Sequence, residues 1–214
     1  MDLVVEPLAD HPEAVPVAAE WQFREWGHTD PGGSLEAWTA ALARQAGAGQ
    51  LPGTLLALGD HRPVGMVCLV GRDMPGYEPA TALTPWIKGL YVIPPARRRG
   101  VGSLLVRRCE AWAASLGHQA VYLYTERGSG GQALYRRLGW RAVHDGRYEG
   151  LDVTVMRALE GQRAHRESLP LPYPRGDVEP GRQPARIQGV WPGTRGRRLR
   201  SAGYRSRHPA TMAE

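Results

Sequence analysis

Residues 88–105, KGLYVIPPARRRGVGSLL, constrain the fold more than any other stretch, because each third of them dictates its own backbone course. The apolar run over 86–93 reads as a strand. Pro94 and Pro95 have no N–H to give a ladder, so the strand ends there. Gly100 and Gly102 permit φ > 0 and let a ligand approach the amides closely. A helix starting near Ser103 leaves its first N–H groups unpaired at the positive end of its dipole. Arg97, Arg98 and Arg99 add charge at the mouth. Together these parts predict a socket for a phosphate-bearing ligand.

The rest of the chain arranges itself around that socket. A short strand is expected at 3–7 and an amphipathic helix at 12–26. Ser34 then caps a second helix over 35–46. Strands at 54–58 and 64–70 flank a turn and form a hairpin pattern. Residues 71–85 make a Pro/Gly/Thr-rich loop, long enough to be functional. After the socket come a helix over 102–116, a strand at 120–125, a loop at 126–131 and a short helix at 132–138. Strands at 140–143 and 151–156 surround a turn at 145–150. Alternating strands and helices mixed with hairpins predict an α/β fold on a mixed sheet.

Charge divides the chain. Residues 1–159 hold 16 Lys+Arg against 16 Asp+Glu, so the whole net charge of +6 comes from the remainder. Residues 160–214 are rich in Arg, Pro and Gly with no apolar periodicity, which predicts a disordered tail behind a domain at 1–159. Nucleic acid is therefore not an expected partner of the domain; any phosphate binding of that kind belongs to the tail. Cys68 and Cys109 both fall at apolar positions and read as core thiols. Metal-ligand spacing is absent, so no metal is expected. The acidic start MDLVVEPLADHPE lacks the pattern of a signal peptide, and no apolar run reaches the ~18–20 residues of a spanning helix. A cytoplasmic protein without a membrane partner is the expectation.

Two motifs carry a resemblance. Arg97-Arg98-Arg99-Gly100-Val101-Gly102, preceded by Leu90, Tyr91, Val92 and Pro94, resembles the pyrophosphate-binding motif of the Gcn5-related N-acetyltransferase (GNAT) superfamily. Tyr135-Arg136-Arg137-Leu138-Gly139-Trp140 is similar to that family's second signature, aromatic-x-x-x-Gly-aromatic. A kinase P-loop is excluded because no Gly-Lys-Ser/Thr follows; a dinucleotide fingerprint lacks its third Gly and its acid.

The resemblance implies a mostly antiparallel sheet with a splay between strands four and five, and acetyl-CoA as co-substrate. Its pyrophosphate would take the amides of Arg98, Arg99, Gly100, Val101, Gly102 and Ser103, with Arg97 completing the motif. Its pantetheine arm would run beside Leu90, Tyr91 and Val92, where backbone N–H groups would hold the oxyanion. Tyr135 would give the departing thiolate its proton. The acetyl group would pass by direct attack, in a ternary complex, to a primary amine on a small molecule or peptide. A monomer or homodimer would suffice.

The base is the weak link. Trp86, Lys88 and Leu90 are expected to face inward on strand four, and none is acidic; Glu78, Glu126 and Asp145 read as solvated carboxylates. The alternative is therefore a non-catalytic acyl-CoA-binding module. Trp86 suits either a groove wall or the core.

Overall fold

The computed structural model describes residues 2–46 and 49–158. The expected tail over 160–214 lies outside them. Seven strands form one sheet: β1 (Leu3–Pro7), β2 (Gly53–Gly59), β3 (Arg62–Val70), β4 (Trp86–Val92), β5 (Val121–Glu126), β6 (Arg141–Tyr148) and β7 (Leu151–Ala158). Their spatial order is β1-β2-β3-β4-β5-β7-β6. Every neighbouring pair is antiparallel except β4–β5, which is parallel and pairs at one register position, Trp86 opposite Tyr122.

Four helices cover the sheet: α1 (Val15–Trp26), α2 (Leu35–Arg44), α3 (Val101–Ser115) and α4 (Gly130–Arg137). The two faces follow from strand alternation. Leu55, Ala57, Val67, Leu69 and Ile87 pack with Leu105, Cys109, Trp112 and Tyr135 of α3 and α4. Leu56, Leu58, Met66, Cys68 and Trp86 pack with Ala18, Trp21 and Leu42 of α1 and α2. Because both faces are covered, β2 is buried at all seven residues, which explains its unbroken apolar run. Ser34 caps α2 as expected, its Oγ accepting from Ala37 N at 3.2 Å. Cys68 and Cys109 are free and buried. Trp86 belongs to the core, its Nε1 donating to Leu83 O at 2.7 Å.

Three expectations need correction. The turn predicted at 145–150 shrinks to Glu149–Gly150, both at positive φ, and β6 runs through Asp145 and Gly146 to Tyr148. Gly146 serves a different end, since a Cβ there would collide with the Tyr77 hydroxyl lying across the strand. The last helix begins at Gly130 rather than 132, because the Ser129 hydroxyl accepts from Gln132 N and caps it. Finally, Leu90 does not share a face with Trp86 and Lys88. β4 bulges between Lys88 and Tyr91, with Gly89 at φ +60°, and the extra residue resets the alternation. Tyr91 therefore joins the α1/α2 face, and Leu90 packs on the α3/α4 face.

Candidate functional site

The sheet contains an edge in its own interior. Beyond Trp86, β4 diverges from β5, so Tyr91 and Val92 pair with β3 on one side and, among the described residues, have no strand on the other, while Leu90 lies in the bulge without a register partner. An unpaired strand edge is a row of donors and acceptors ready for an extended, amide-bearing chain. β4 leads from this opening into the 94–100 turn, where Arg98 (φ +59°) and Gly100 (φ +84°) both take the left-handed region. Gly100 is the N-cap of α3, and the first bond across that turn runs from Leu104 N to Gly100 O at 2.9 Å. The amides of Val101, Gly102 and Ser103 thus have no acceptor within the helix. Arg98, Arg99 and Gly100 are exposed beside them. Arg97 turns back: its Nε donates to Val92 O at 2.8 Å, and its guanidinium lies 5.7 Å from the Tyr91 ring centre. Its charge is held between turn and strand.

On the α3/α4 face, α4 bridges the gap. Leu134 lies within contact range of the Gly102 position, and that same position borders Val92. Tyr135, one residue on, is 8% exposed and packs its ring 5.8 Å from Trp140. Among the described residues its hydroxyl has no hydrogen-bond partner. Burial, with a smaller contribution from Cys109, pushes this phenol well above its ordinary pKa, so it keeps its proton at neutral pH. A brace fixes the start of α4. Gln132 Nε2 donates to Thr154 Oγ1 (2.8 Å) on β7, Thr154 Oγ1 donates to Asp145 Oδ1 (2.5 Å) on β6, and Gln132 Oε1 accepts from Gly128 N (2.9 Å). Gln132 sits one turn before Tyr135, a role that its polar type in a short helix did not advertise.

On the opposite face the splay opens between aromatic rings. Trp86 and Tyr122 meet at its apex, 5.9 Å apart. Tyr91 on the β4 arm stacks on Trp21 (5.5 Å, 26°). Tyr124 on the β5 arm meets Tyr148 edge-on at 5.6 Å, and Tyr148 meets Tyr77 at 5.8 Å. The carboxylate absent from strand four arrives from the 71–85 loop: Asp73 Oδ1 lies 3.0 Å from Lys88 Nζ, with side-chain exposures of 7% and 20%. Sequence reasoning missed Asp73 because 15 residues separate the pair along the chain. Glu78, Glu126 and Asp145 are exposed; Glu78 and Glu126 stand as solvated acids, while Asp145 is engaged by Thr154. Burial first, then the Asp73 charge, pushes the Tyr124 phenol up.

No helix among the described residues is long and apolar enough to cross a membrane, and none of their His, Cys, Asp and Glu side chains cluster as metal ligands.

Comparison with known proteins agrees with this geometry. The family model described as "Acetyltransferase (GNAT) family" matches residues 8–140. An aminoglycoside N(6')-acetyltransferase type 1 from Acinetobacter haemolyticus is 38% identical over 61 residues, a match spanning 28% of this chain and 41% of that protein. Among solved structures, yncA of Salmonella typhimurium, determined with its cofactor acetyl-CoA, superposes with a TM-score of 0.57 at 17% identity, covering 78% of this chain and 99% of that one. An acetyltransferase from Streptococcus pneumoniae gives 0.55 at 20% identity, covering 75% and 100%.

Proposed function

The chain belongs to the acetyltransferase (GNAT) family, and from that premise we propose that it moves the acetyl group of acetyl-CoA to a primary amine by direct attack in a ternary complex. The observation carrying this reading is the interior strand edge of β4 running into unpaired helix-start amides. A diphosphate suits the amides of Arg98 to Ser103. A pantetheine, with its two amides, suits the edge of Leu90, Tyr91 and Val92. Arg97 braces the turn against Tyr91 and leaves the phosphate contacts to its neighbours.

Acetyl-CoA supplies an activated acyl group; the chain has three tasks. The β4 amides beside the Gly89 bulge stabilise the oxyanion that develops on the acyl oxygen as the amine adds to the acyl carbon. Tyr135, protonated at neutral pH, gives its proton to the CoA sulfur as the C–S bond breaks, and the proton lost by the attacking nitrogen restores the phenol through solvent. The α1/α2 face admits the amine, which must arrive at the acyl carbon without its proton. Free α-amines lose theirs near pKa ~8 and lysine-type amines near ~10.4, so the site has more to do for the latter. We assign these roles to a domain over 1–159.

The test is amine-dependent release of CoA thiol, followed with DTNB, over a panel of primary amines. Release that tracks both amine and acetyl-CoA supports the proposal. Tight acetyl-CoA binding without amine-dependent release on any panel member refutes it in favour of a non-catalytic acyl-CoA-binding module.

A further inference from the structure

We propose that the acceptor is a monoamine on a flat apolar body, its amino group seated on Asp73 between the two aromatic walls of the splay; this rests on the acetyltransferase reading above. The walls come first. Tyr91, Tyr122, Tyr124, Tyr148 and Tyr77 all lie on the α1/α2 side of the sheet and are half-buried. Trp21 backs one wall through Tyr91, and the edge-on contacts of Tyr148 with Tyr124 and Tyr77 build the other. Surfaces of this kind favour a ring or hydrocarbon over a hydrated polyol, by about two- to tenfold for each good ring contact.

The charge balance narrows the class further. The nearly buried Asp73 is matched by Lys88 alone, through Oδ1. Oδ2 has no protein partner among the described residues, and a carboxylate accepts several donors. An incoming ammonium can therefore join or displace Lys88 on Asp73, and it gives one proton to solvent before the neutral amine attacks. A second ammonium on the same acceptor has no buried carboxylate left to meet, and it lies beside the Lys88 cation. Glu149, next to Tyr148, stands exposed at the β6–β7 hairpin tip, where solvent and salt screen it. A further group asks for a donor on this face. Gln22 on α1 is 1% exposed and lies against Gly89; its Nε2 donates to Cys68 Sγ at 3.4 Å, while its Oε1 has no partner. A buried acceptor without a donor is costly unless a ligand N–H supplies one. The bulge, the orphan acceptor and Asp73 together describe a seat for an amino group, and the rings describe what the amino group is attached to.

The experiment compares kcat/KM for 2-phenylethylamine, n-butylamine and spermidine at saturating acetyl-CoA in wild type, Asp73→Asn and Lys88→Gln. In wild type, phenylethylamine should exceed butylamine through its ring and exceed spermidine by about tenfold through the charge balance. Asp73→Asn should raise the KM for phenylethylamine by about tenfold and leave the KM for acetyl-CoA unchanged. Lys88→Gln should shrink or reverse the gap to spermidine, a change that a purely structural ion pair would not produce. Thermal melts check that each variant folds; if Asp73→Asn does not, the Lys88→Gln ratio decides. Preference for spermidine in wild type, or a substrate ratio unmoved by Lys88→Gln, overturns this inference while the acetyltransferase reading stands. Turnover of no amine by wild type overturns both.

Discussion

Replacing Gly89 with alanine tests how β4 is built. Gly89 has φ +60°, and a Cβ there would sit 2.7 Å from Gln22 Nε2. The left-handed backbone alone costs an ordinary residue roughly 1–2 kcal/mol. Gln22 is buried, so moving it aside adds an overpacking cost of about 1–3 kcal/mol. Gly117 supplies the control: its φ is +85°, and nothing lies within 4 Å of its Cβ position. Urea denaturation should therefore place Gly117→Ala about 1–2 kcal/mol below wild type and Gly89→Ala about 2–5 kcal/mol below. Adding Gln22→Ala removes the obstacle, so the double variant should be less destabilised than the sum of its singles by about 1–3 kcal/mol. Equal losses for Gly89→Ala and Gly117→Ala, together with additivity in the cycle, would show that Gln22 does not pack on the bulge. Gln22 would then not face the acceptor beside Gly89.

Two further outcomes follow from burial. Cys68 and Cys109 both lie in the core with thiols pushed up by desolvation, so DTNB should label neither in the folded protein and both on unfolding; labelling of the native chain at a rate like that of a free thiol would contradict this. Burial raises the pKa of Tyr124, Tyr135 and Tyr148 above the ordinary value near ~10. Groups raised on folding stabilise the fold fully below their unfolded pKa, and that contribution fades as pH climbs beyond it. Stability should thus fall above about pH 10, with phenolate absorbance at 295 nm lagging that of the denatured chain; tyrosines that all titrate at the ordinary value would refute the burial argument.

The socket was legible because its causes are local. Prolines stop a strand and glycines open a turn within a few residues, and α3 begins at Val101, beside the expected start. The faces of β4 were harder to read. A lone glycine inside a strand pattern signals a bulge, and Gly89 carried that signal, yet strict alternation placed Leu90 where Tyr91 belongs. Asp73 was not legible: its meaning depends on a loop folding back onto Lys88, and nothing in the residues around Asp73 records that partner. Gly146 misled for the same reason. It reads as a turn residue, whereas its lack of a side chain makes room for Tyr77 from the distant 71–85 loop.

The central claim is that the interior edge of β4 presents acetyl-CoA to an amine while Tyr135 protonates the leaving thiolate. Single-turnover kinetics of Tyr135→Phe test it most directly. Among the described residues the Tyr135 hydroxyl has no partner, so the variant should fold as wild type and bind acetyl-CoA with unchanged affinity. Its acetyl-transfer rate should fall by about 10²-fold or more, the scale of a lost general acid. An unchanged transfer rate would remove Tyr135 from the chemistry. Loss of acetyl-CoA binding instead of transfer would contradict the division of labour between strand edge and helix.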